Sequence, residues 1–282
     1  MRATSARAAA LVGPSGTVFL LIFVAPFAYF FVVSFWRVQA YKLYPAATLD
    51  NYARVVAEYW GPLLFSLGIA FAVALLTTLL AFAFAYGIRF KAGRWGNALL
   101  FVALVTLFGG YLSKIYAWKT ILGSAGILNS ALMILGITEQ PITVFLYNPV
   151  AVVLTLLHYM IPLAILPLYG ALRQVDDIPL RAATDLGASR WRVLRDIVLP
   201  QCQSGIIVAV TLTFLFAVGD YATPRLVGGP YTSMIGTFIQ FQFGLRFDAP
   251  LGSAMAFTVI AISVTIVGVA AFAIVRFLRA PR

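Results

Sequence analysis

Polar material is what this chain has least of. Only 10% of its 282 residues are charged, while 62% are hydrophobic. Ordinary soluble domains carry about 25% charged and about 45–50% apolar residues. That is too little charge to coat a water-soluble globule and too much apolar side chain for a disordered chain, which leaves an integral membrane protein. Cysteine and histidine are almost missing: Cys202 and His158 stand alone. A lone cysteine excludes an internal disulfide, and one of each cannot supply the three or four ligands of the usual zinc sites, so no metal site is expected. No Gly-Lys dipeptide occurs. That excludes the glycine-rich phosphate loop ending in lysine, so the chain carries no ATP chemistry and needs no cofactor of its own. Acids are scarce beside bases, nine against twenty, for a net charge of +11. Nucleic acid is the usual partner of so basic a chain, but here the charges are scattered over loops, so none is expected.

What is present is a series of long charge-free stretches. A spanning helix needs about 20 mostly apolar residues, because lipid offers the backbone no hydrogen-bond partner. Residues 8–36, 59–88, 95–113, 140–172, 197–219 and 249–275 contain no Asp, Glu, Lys or Arg. Their apolar cores predict six helices, near 15–36, 63–88, 97–117, 149–172, 203–223 and 253–275. Two further gaps differ: 120–138 has three Gly, two Ser and an Asn, and 226–245 contains Gly228-Gly229-Pro230 and two Gln. They read as helical or looped segments near the interface, with a turn at the glycines. The charge balance agrees. With six spans and a cytoplasmic N-terminus, thirteen of the twenty basic residues fall inside and seven outside, as the positive-inside bias requires. A seventh span at 120–138 would send the five arginines of 173–200 outside. The first apolar stretch runs to Trp36, longer than a signal-peptide core, with no convincing cleavage site after it, so it reads as a retained helix. Trp36, Trp60, Trp95 and Trp118 fall near span ends, as interface anchors do. Gly68, Ala72, Ala81 and Ala85 offer a small-residue face for helix contacts on the second span.

The loop from 173 to 200 is the longest on the inner side. Asp176 or Asp177 is placed to cap a short helix with Pro179 in its first turn. Gly187 suits a left-handed end at Leu186. Ser189 is placed to cap a second helix carrying Trp191, Val193, Leu194 and Ile197 that ends at Pro200. Two short amphipathic helices thus meet at a glycine elbow. One reading is a connecting loop with a basic helix lying on lipid; the other is a docking knob for a cytoplasmic partner.

Ala182-Ala183, three residues, Gly187, nine residues, then Ile197-Val198-Leu199-Pro200 resembles the signature loop of permeases of binding-protein-dependent ABC importers. Arg181 stands where the family pattern has Glu. Further stretches resemble the spermidine/putrescine permease branch: Thr48-Leu49-Asp50-Asn51-Tyr52, Tyr116-Ala117-Trp118, Gly126-Ile127-Leu128-Asn129, Leu146-Tyr147-Asn148, Pro162-Leu163 with Pro167-Leu168-Tyr169, Asp185-Leu186-Gly187-Ala188-Ser189, and Gly219-Asp220-Tyr221-Ala222-Thr223-Pro224 with Leu226-Val227-Gly228-Gly229-Pro230. The resemblance implies an all-α polytopic membrane protein with the type I ABC importer permease fold. It implies an N-terminal region (1–62) with tail, first helix and periplasmic loop, a five-helix permease core (63–275), and a cytoplasmic tail (276–282). The 173–200 loop would be the coupling element, through Ala182, Ala183, Asp185, Gly187, Ala188, Ser189, Trp191, Ile197, Leu199 and Pro200. Implied partners are a cytoplasmic ABC ATPase dimer, which binds the ATP, a second homologous permease, a periplasmic solute-binding protein and the lipid bilayer. The implied place is a bacterial inner membrane with both termini cytoplasmic. The implied cargo is a polyamine or a related small cationic or polar solute.

Asp220 is the only acid within or at the end of an expected span, and such groups usually face a cavity or a partner. Flanked by Tyr221, it is a candidate for attracting a cargo ammonium with help from aromatic faces; the alternative is a helix-end carboxylate paired with a neighbour such as Arg225. His158 is expected to make an interhelical hydrogen bond or, less simply, to touch cargo. Tyr111 and Tyr159 are further lining candidates. Lys114 and Lys119 are expected to snorkel outward or meet the binding protein. Pro162 and Pro167 are either bends that serve motion or packing kinks. Two other classes compete: a secondary transporter or channel, which has no need of the elbow, and a membrane enzyme, which needs clustered His, Asp or Glu in its spans. One His and one acid, far apart in sequence, do not supply that cluster.

Overall fold

The computed structural model describes residues 13–278. Arg2, Arg7, Arg279 and Arg282, which enter the charge balance above, lie outside the described residues. Helix α1 spans Gly13–Val33 and is followed by a small hairpin of β1 (Arg37–Gln39) and β2 (Lys42–Tyr44), paired antiparallel with Val38 opposite Leu43. Helix α2 runs unbroken over Asp50–Phe90. Then come α3 (Gly96–Val105), α4 (Tyr111–Leu122), α5 (Ile127–Ile134) and α6 (Pro149–Arg173). The elbow helices are α7 (Asp177–Asp185) and α8 (Arg190–Gln201), followed by α9 (Gln203–Val218). The chain closes with α10 (Ile235–Phe241) and α11 (Ala249–Leu278).

Four of these, α1, α2, α6 and α11, are long and apolar enough to cross a bilayer alone. Two helical pairs pass the same test together: Gly93–Phe108 with Tyr111–Ile134, bent by 96°, and Arg190–Gln201 with Gln203–Val218, bent by 72°. Counting each bent pair once brings the total to six, the number expected. The third and fifth spans are therefore not the straight helices the charge gaps suggest. The first break falls at Gly109-Gly110, both with extended ψ (121° and 139°), where two residues of poor helix propensity follow one another. The second falls at Cys202, not at Pro200. The helix passes Pro200 because the turn before it is widened over Leu194–Val198, where the Leu199 N–H bonds the carbonyl of Leu194. A widened turn shifts the carbonyl register that a proline ring otherwise meets.

Two compact units divide the chain, residues 13–60 with Phe238–Ile260, and Gly61–Thr237 with residues 261–278. In the first, Asn51 is buried, and its amide donates to the carbonyls of Ser34 and Trp36, both at 2.9 Å, fixing the end of α1. Tyr59 accepts from Gln242 (3.1 Å) and from Arg246 (3.3 Å), and Phe27 and Phe31 meet Phe257 edge-on.

The second unit is larger. Along α2 the fully buried positions are Leu63, Ser66, Ala70, Val73, Thr77, Ala81 and Ala85, a stripe at three- and four-residue steps. Ala81 and Ala85 belong to it as expected. Gly68 is exposed and Ala72 only half-buried, so the small-residue face is rotated from the expected one. The core gathers Ala81 and Ala85 with Ala164, Ile165, Leu168 and Leu172 of α6, and with Val198, Cys202 and Ala209. Small residues let backbones approach, and Gly205 shows how near. A Cβ there would lie 2.7 Å from the Pro167 carbonyl oxygen and 2.6 Å from the Ala171 Cβ. Helix α6 contains both Pro162 and Pro167 without interruption. The outward side chains of α1 and α11, such as Phe23, Val264 and Phe272, are more than half exposed on this chain, as helices facing lipid are.

Gly205→Ala is expected to destabilise the fold by about 1–3 kcal/mol through overpacking against α6. Gly87→Ala, at a helical position with open space around it, is expected to be neutral or stabilising by about 0.5–1 kcal/mol. Thermal unfolding midpoints of the two variants in one detergent check the pair.

Candidate functional site

The elbow is built by local chemistry. Asp176 accepts from the Ile178 N–H at 3.1 Å and caps α7. Asp177, in the first turn, takes an ion pair from Arg89 at the end of α2, at 2.8 Å. At the other end Gly187 stands in the left-handed region at φ 80°. Its N–H donates to Thr184 and that of Ala188 to Ala183, both at 2.9 Å, the paired bonds that close a helix through a left-handed residue. Ser189 then accepts from the Arg192 N–H at 3.4 Å to start α8.

The consequence is a helix with no buried residue of its own. Ile178, Ala182 and Leu186 recur at four-residue steps, so they share one face, and all three are exposed. Leu186 is 89% exposed and Trp191 67%. Asp185 and Arg181 are exposed as well. On the opposite side Leu180, Thr184 and Ala188 join Tyr86, Phe90 and Lys91 around a cavity of about 380 Å³. Ala183, Ile197, Leu199 and Pro200 are half-buried, and Val198 reaches the core. The elbow therefore pairs an inner anchor with an apolar outer face that the described residues leave uncovered.

A second constellation lies where α9 ends. Asp220 is 6% exposed. Its Oδ1 accepts from the Tyr111 hydroxyl at 2.6 Å and from the N–H groups of Ala222 (3.0 Å) and Thr223 (3.4 Å), capping the turn that follows. Tyr111 has one proton and gives it to Asp220, so the Thr223 hydroxyl donates to the Tyr111 oxygen at 2.7 Å. Oδ2 has no partner among the described residues. Tyr111, Tyr159 and Phe216 pack as a trio with ring centroids 4.9–5.7 Å apart.

Of the expected lining residues, the structure brings Tyr111, Tyr159 and Asp220 together. Tyr221 is exposed beside them. His158 points elsewhere: it is exposed, its ring meets Trp118 edge-on at 5.9 Å, and it makes no hydrogen bond among the described residues. The expected interhelical bond is absent because adjacent helix positions face different ways. Asp220 pairs with Tyr111 and not with Arg225, which is exposed. Lys114 does not snorkel. It is 8% exposed, with its ammonium 5.0 Å from the Tyr159 ring centre, because the break at Gly109-Gly110 turns α4 inward. Phe216 and Thr223 were not foreseen; the four-residue step from Phe216 to Asp220 is the only sequence signal for the first. Lys119 lines a separate cavity of about 450 Å³ with Ser124 and Thr143. Among the described residues no group of His, Cys, Asp and Glu is arranged to hold a metal.

Comparison with known proteins places this geometry in context. The chain is 34% identical over 212 residues to the spermidine/putrescine transport system permease protein PotB of Escherichia coli (strain K12), covering 75% of this chain and 77% of the relative. The protein of that name from Haemophilus influenzae is 30% identical, with 74% and 73% covered. In fold it is similar to a chain of the bacterial alginate ABC transporter, solved in complex with an alginate-pentasaccharide-bound periplasmic protein. The TM-score there is 0.73 at 14% identity, with 97% of this chain and 95% of that one covered. A chain of the MetNI methionine ABC transporter in an inward-facing conformation matches at TM-score 0.52 and 19% identity, with 81% and 98% covered. The all-α, type I importer permease architecture expected above is thus the observed one. The family profile for the binding-protein-dependent transport system inner membrane component matches residues 10–280, and the chain belongs to that family.

Proposed function

We propose that this chain is one of two permeases forming the pore of an ATP-driven importer for polyamines or a related small cationic or polar solute. The supporting observation is the elbow: a helix capped at both ends, tied to α2 by Arg89–Asp177, with Ile178, Ala182 and Leu186 exposed and left uncovered by the described residues. An exposed apolar face rimmed by charge is what a protein partner covers. In this reading the partner is an ATPase dimer, which binds the nucleotide this chain has no loop for, and a periplasmic binding protein delivers cargo from the other side. Residues 63–275 are the working core, 173–200 its coupling loop, and both termini are cytoplasmic. The chain performs no chemical step.

Cargo would pass the Asp220 constellation. A carboxylate with one oxygen already bonded and the other free, beside three aromatic rings, suits an ammonium on an aliphatic stem. Tyr221 extends that surface outward, while His158 lines a different, apolar cavity with Leu80, Phe84 and Pro162 and is left out of the pathway. The PotB relatives carry spermidine and putrescine in their names, which favours the same class of cargo here.

Gly187→Asp puts a charged side chain on a left-handed residue at the elbow, a conformation Asp tolerates better than most residues, and should cost no more than about 1 kcal/mol of fold stability. Co-purification of the ATPase subunits should fall sharply and uptake with it; full uptake by this variant removes the docking assignment. Asp220→Asn keeps the shape and loses the charge. Uptake of labelled putrescine should drop about tenfold, the loss of one charge-assisted contact, with ATPase assembly unaffected. Unchanged uptake kinetics would retire the pathway assignment.

A further inference from the structure

Lys114 has no role in the reading above, and its surroundings are unusual. It lies one helical turn after Tyr111 on α4, so the two side chains leave the same face. Its stem runs beside Gly109, where a Cβ would stand 3.4 Å from the lysine Cε, in ordinary contact. The ammonium is buried, rests on the Tyr159 ring at 5.0 Å, and has no hydrogen-bond partner among the described residues. This burial arises within one compact unit of a single chain, so a partner subunit is not its cause. An ammonium out of water without a counter-ion is costly, and an aromatic face offsets only part of that cost.

A counter-ion exists nearby and is not used. Asp220 is equally buried, its Oδ2 has no partner among the described residues, and its Oδ1 accepts from Tyr111, whose ring packs on Tyr159. Yet among the described residues no ion pair joins Lys114 to Asp220. The cluster thus holds its aromatic surface under a resident cation and keeps a buried carboxylate oxygen unpartnered. We infer that Lys114 is a tethered cation that occupies the aromatic seat of the unloaded pathway and seals it against inorganic cations until a cargo ammonium takes that place. Potassium or sodium entering this low-dielectric region meets a like charge that is not screened by water. A polyamine brings an aliphatic stem for the rings and a second ammonium for the free Oδ2, so it competes where a bare ion does not.

The inference rests on the pathway assignment of Asp220, and the test separates the two. The complete importer, with both permeases and the ATPase dimer, is reconstituted in proteoliposomes without cargo or ATP, and rubidium tracer flux is measured. Lys114→Met should pass rubidium at least about tenfold faster than wild type, the scale on which a local charge alters ion occupancy. Lys114→Arg should stay sealed. Tyr159→Leu removes the seat and keeps the charge, and should also leak. A tight membrane with whichever of Lys114→Met and Tyr159→Leu assembles overturns the seal. Asp220→Asn uptake, measured alongside, assigns the failure. Normal uptake there removes the pathway and the seal together, whereas lost uptake with a tight Lys114→Met removes the seal alone.

Discussion

Hydrocarbon supplies no hydrogen bonds, so each place where a helix of this chain stops inside the apolar region must be satisfied by the protein itself. The breaks are handled by short polar side chains that stand in for lost helical bonds. Asn129 is fully buried and closes the turn after α4 by donating to Gly123 and Ile142 and accepting from the Ile142 N–H. Ser66 donates to Pro62 and accepts from the Ile235 N–H, fixing the start of α10 on α2. Asn51 donates to the Ser34 and Trp36 carbonyls at the end of α1. Asp220 is the charged member of this set. It caps the turn after α9 as an asparagine would, but brings a second oxygen that none of the described residues uses. Its double character, structural at Oδ1 and free at Oδ2, follows from its being an acid where an amide would close the turn.

The elbow inverts that logic. Its backbone is fully closed by caps at Asp176, Gly187 and Ser189, and what remains unmet is apolar. In water an uncovered Ile178–Ala182–Leu186 face costs free energy that only a partner recovers. The pair Arg89–Asp177 is exposed on its acidic side, and such pairs contribute little stability, about 0–1 kcal/mol. It orients α7 more than it holds it, and the grip comes from Leu180 and Leu194, packed against the core with Tyr86 and Phe90.

Much of this was legible in the residue string, for identifiable reasons. Charge gaps mark spans because hydrophobicity is a sum over about twenty residues and tolerates local error. Caps are legible because a few adjacent residues determine them; Asp176, Gly187 and Ser189 each act at the position that their chemistry suggests. The breaks were not legible. Gly109-Gly110 is compatible with a straight transmembrane helix, since glycine is common in such helices. Pro200 suggests an end that a widened turn one residue earlier cancels. Lys114 was misread because snorkelling is judged from distance along the chain, and the 96° bend changes which way the side chain leaves. The rotation of the α2 stripe away from Gly68 has the same origin, since the buried face depends on the neighbours a helix meets.

These breaks also decide how movement travels. Between the elbow and Asp220 the chain holds two helices and one joint: α8 up to Gln201, the 72° turn at Cys202, and α9, whose sixteen residues make a rod of about 24 Å. A helix transmits displacement along its axis with little loss, while a joint changes its direction. The joint at Cys202 lies in the core among Ala171, Leu172 and Val198, and Gly205 just beyond it is pressed against the Pro167 carbonyl. So the pivot is packed, and α9 is guided along α6 near its prolines. On the proposed function, a push on α7 and α8 from an ATPase would arrive at the far end of α9, where Phe216 and Asp220 meet Tyr111 and Tyr159. If the break at Cys202 serves as a fulcrum, rotation of α9 about it displaces the far end of the helix most, and that is where the proposed cargo site stands.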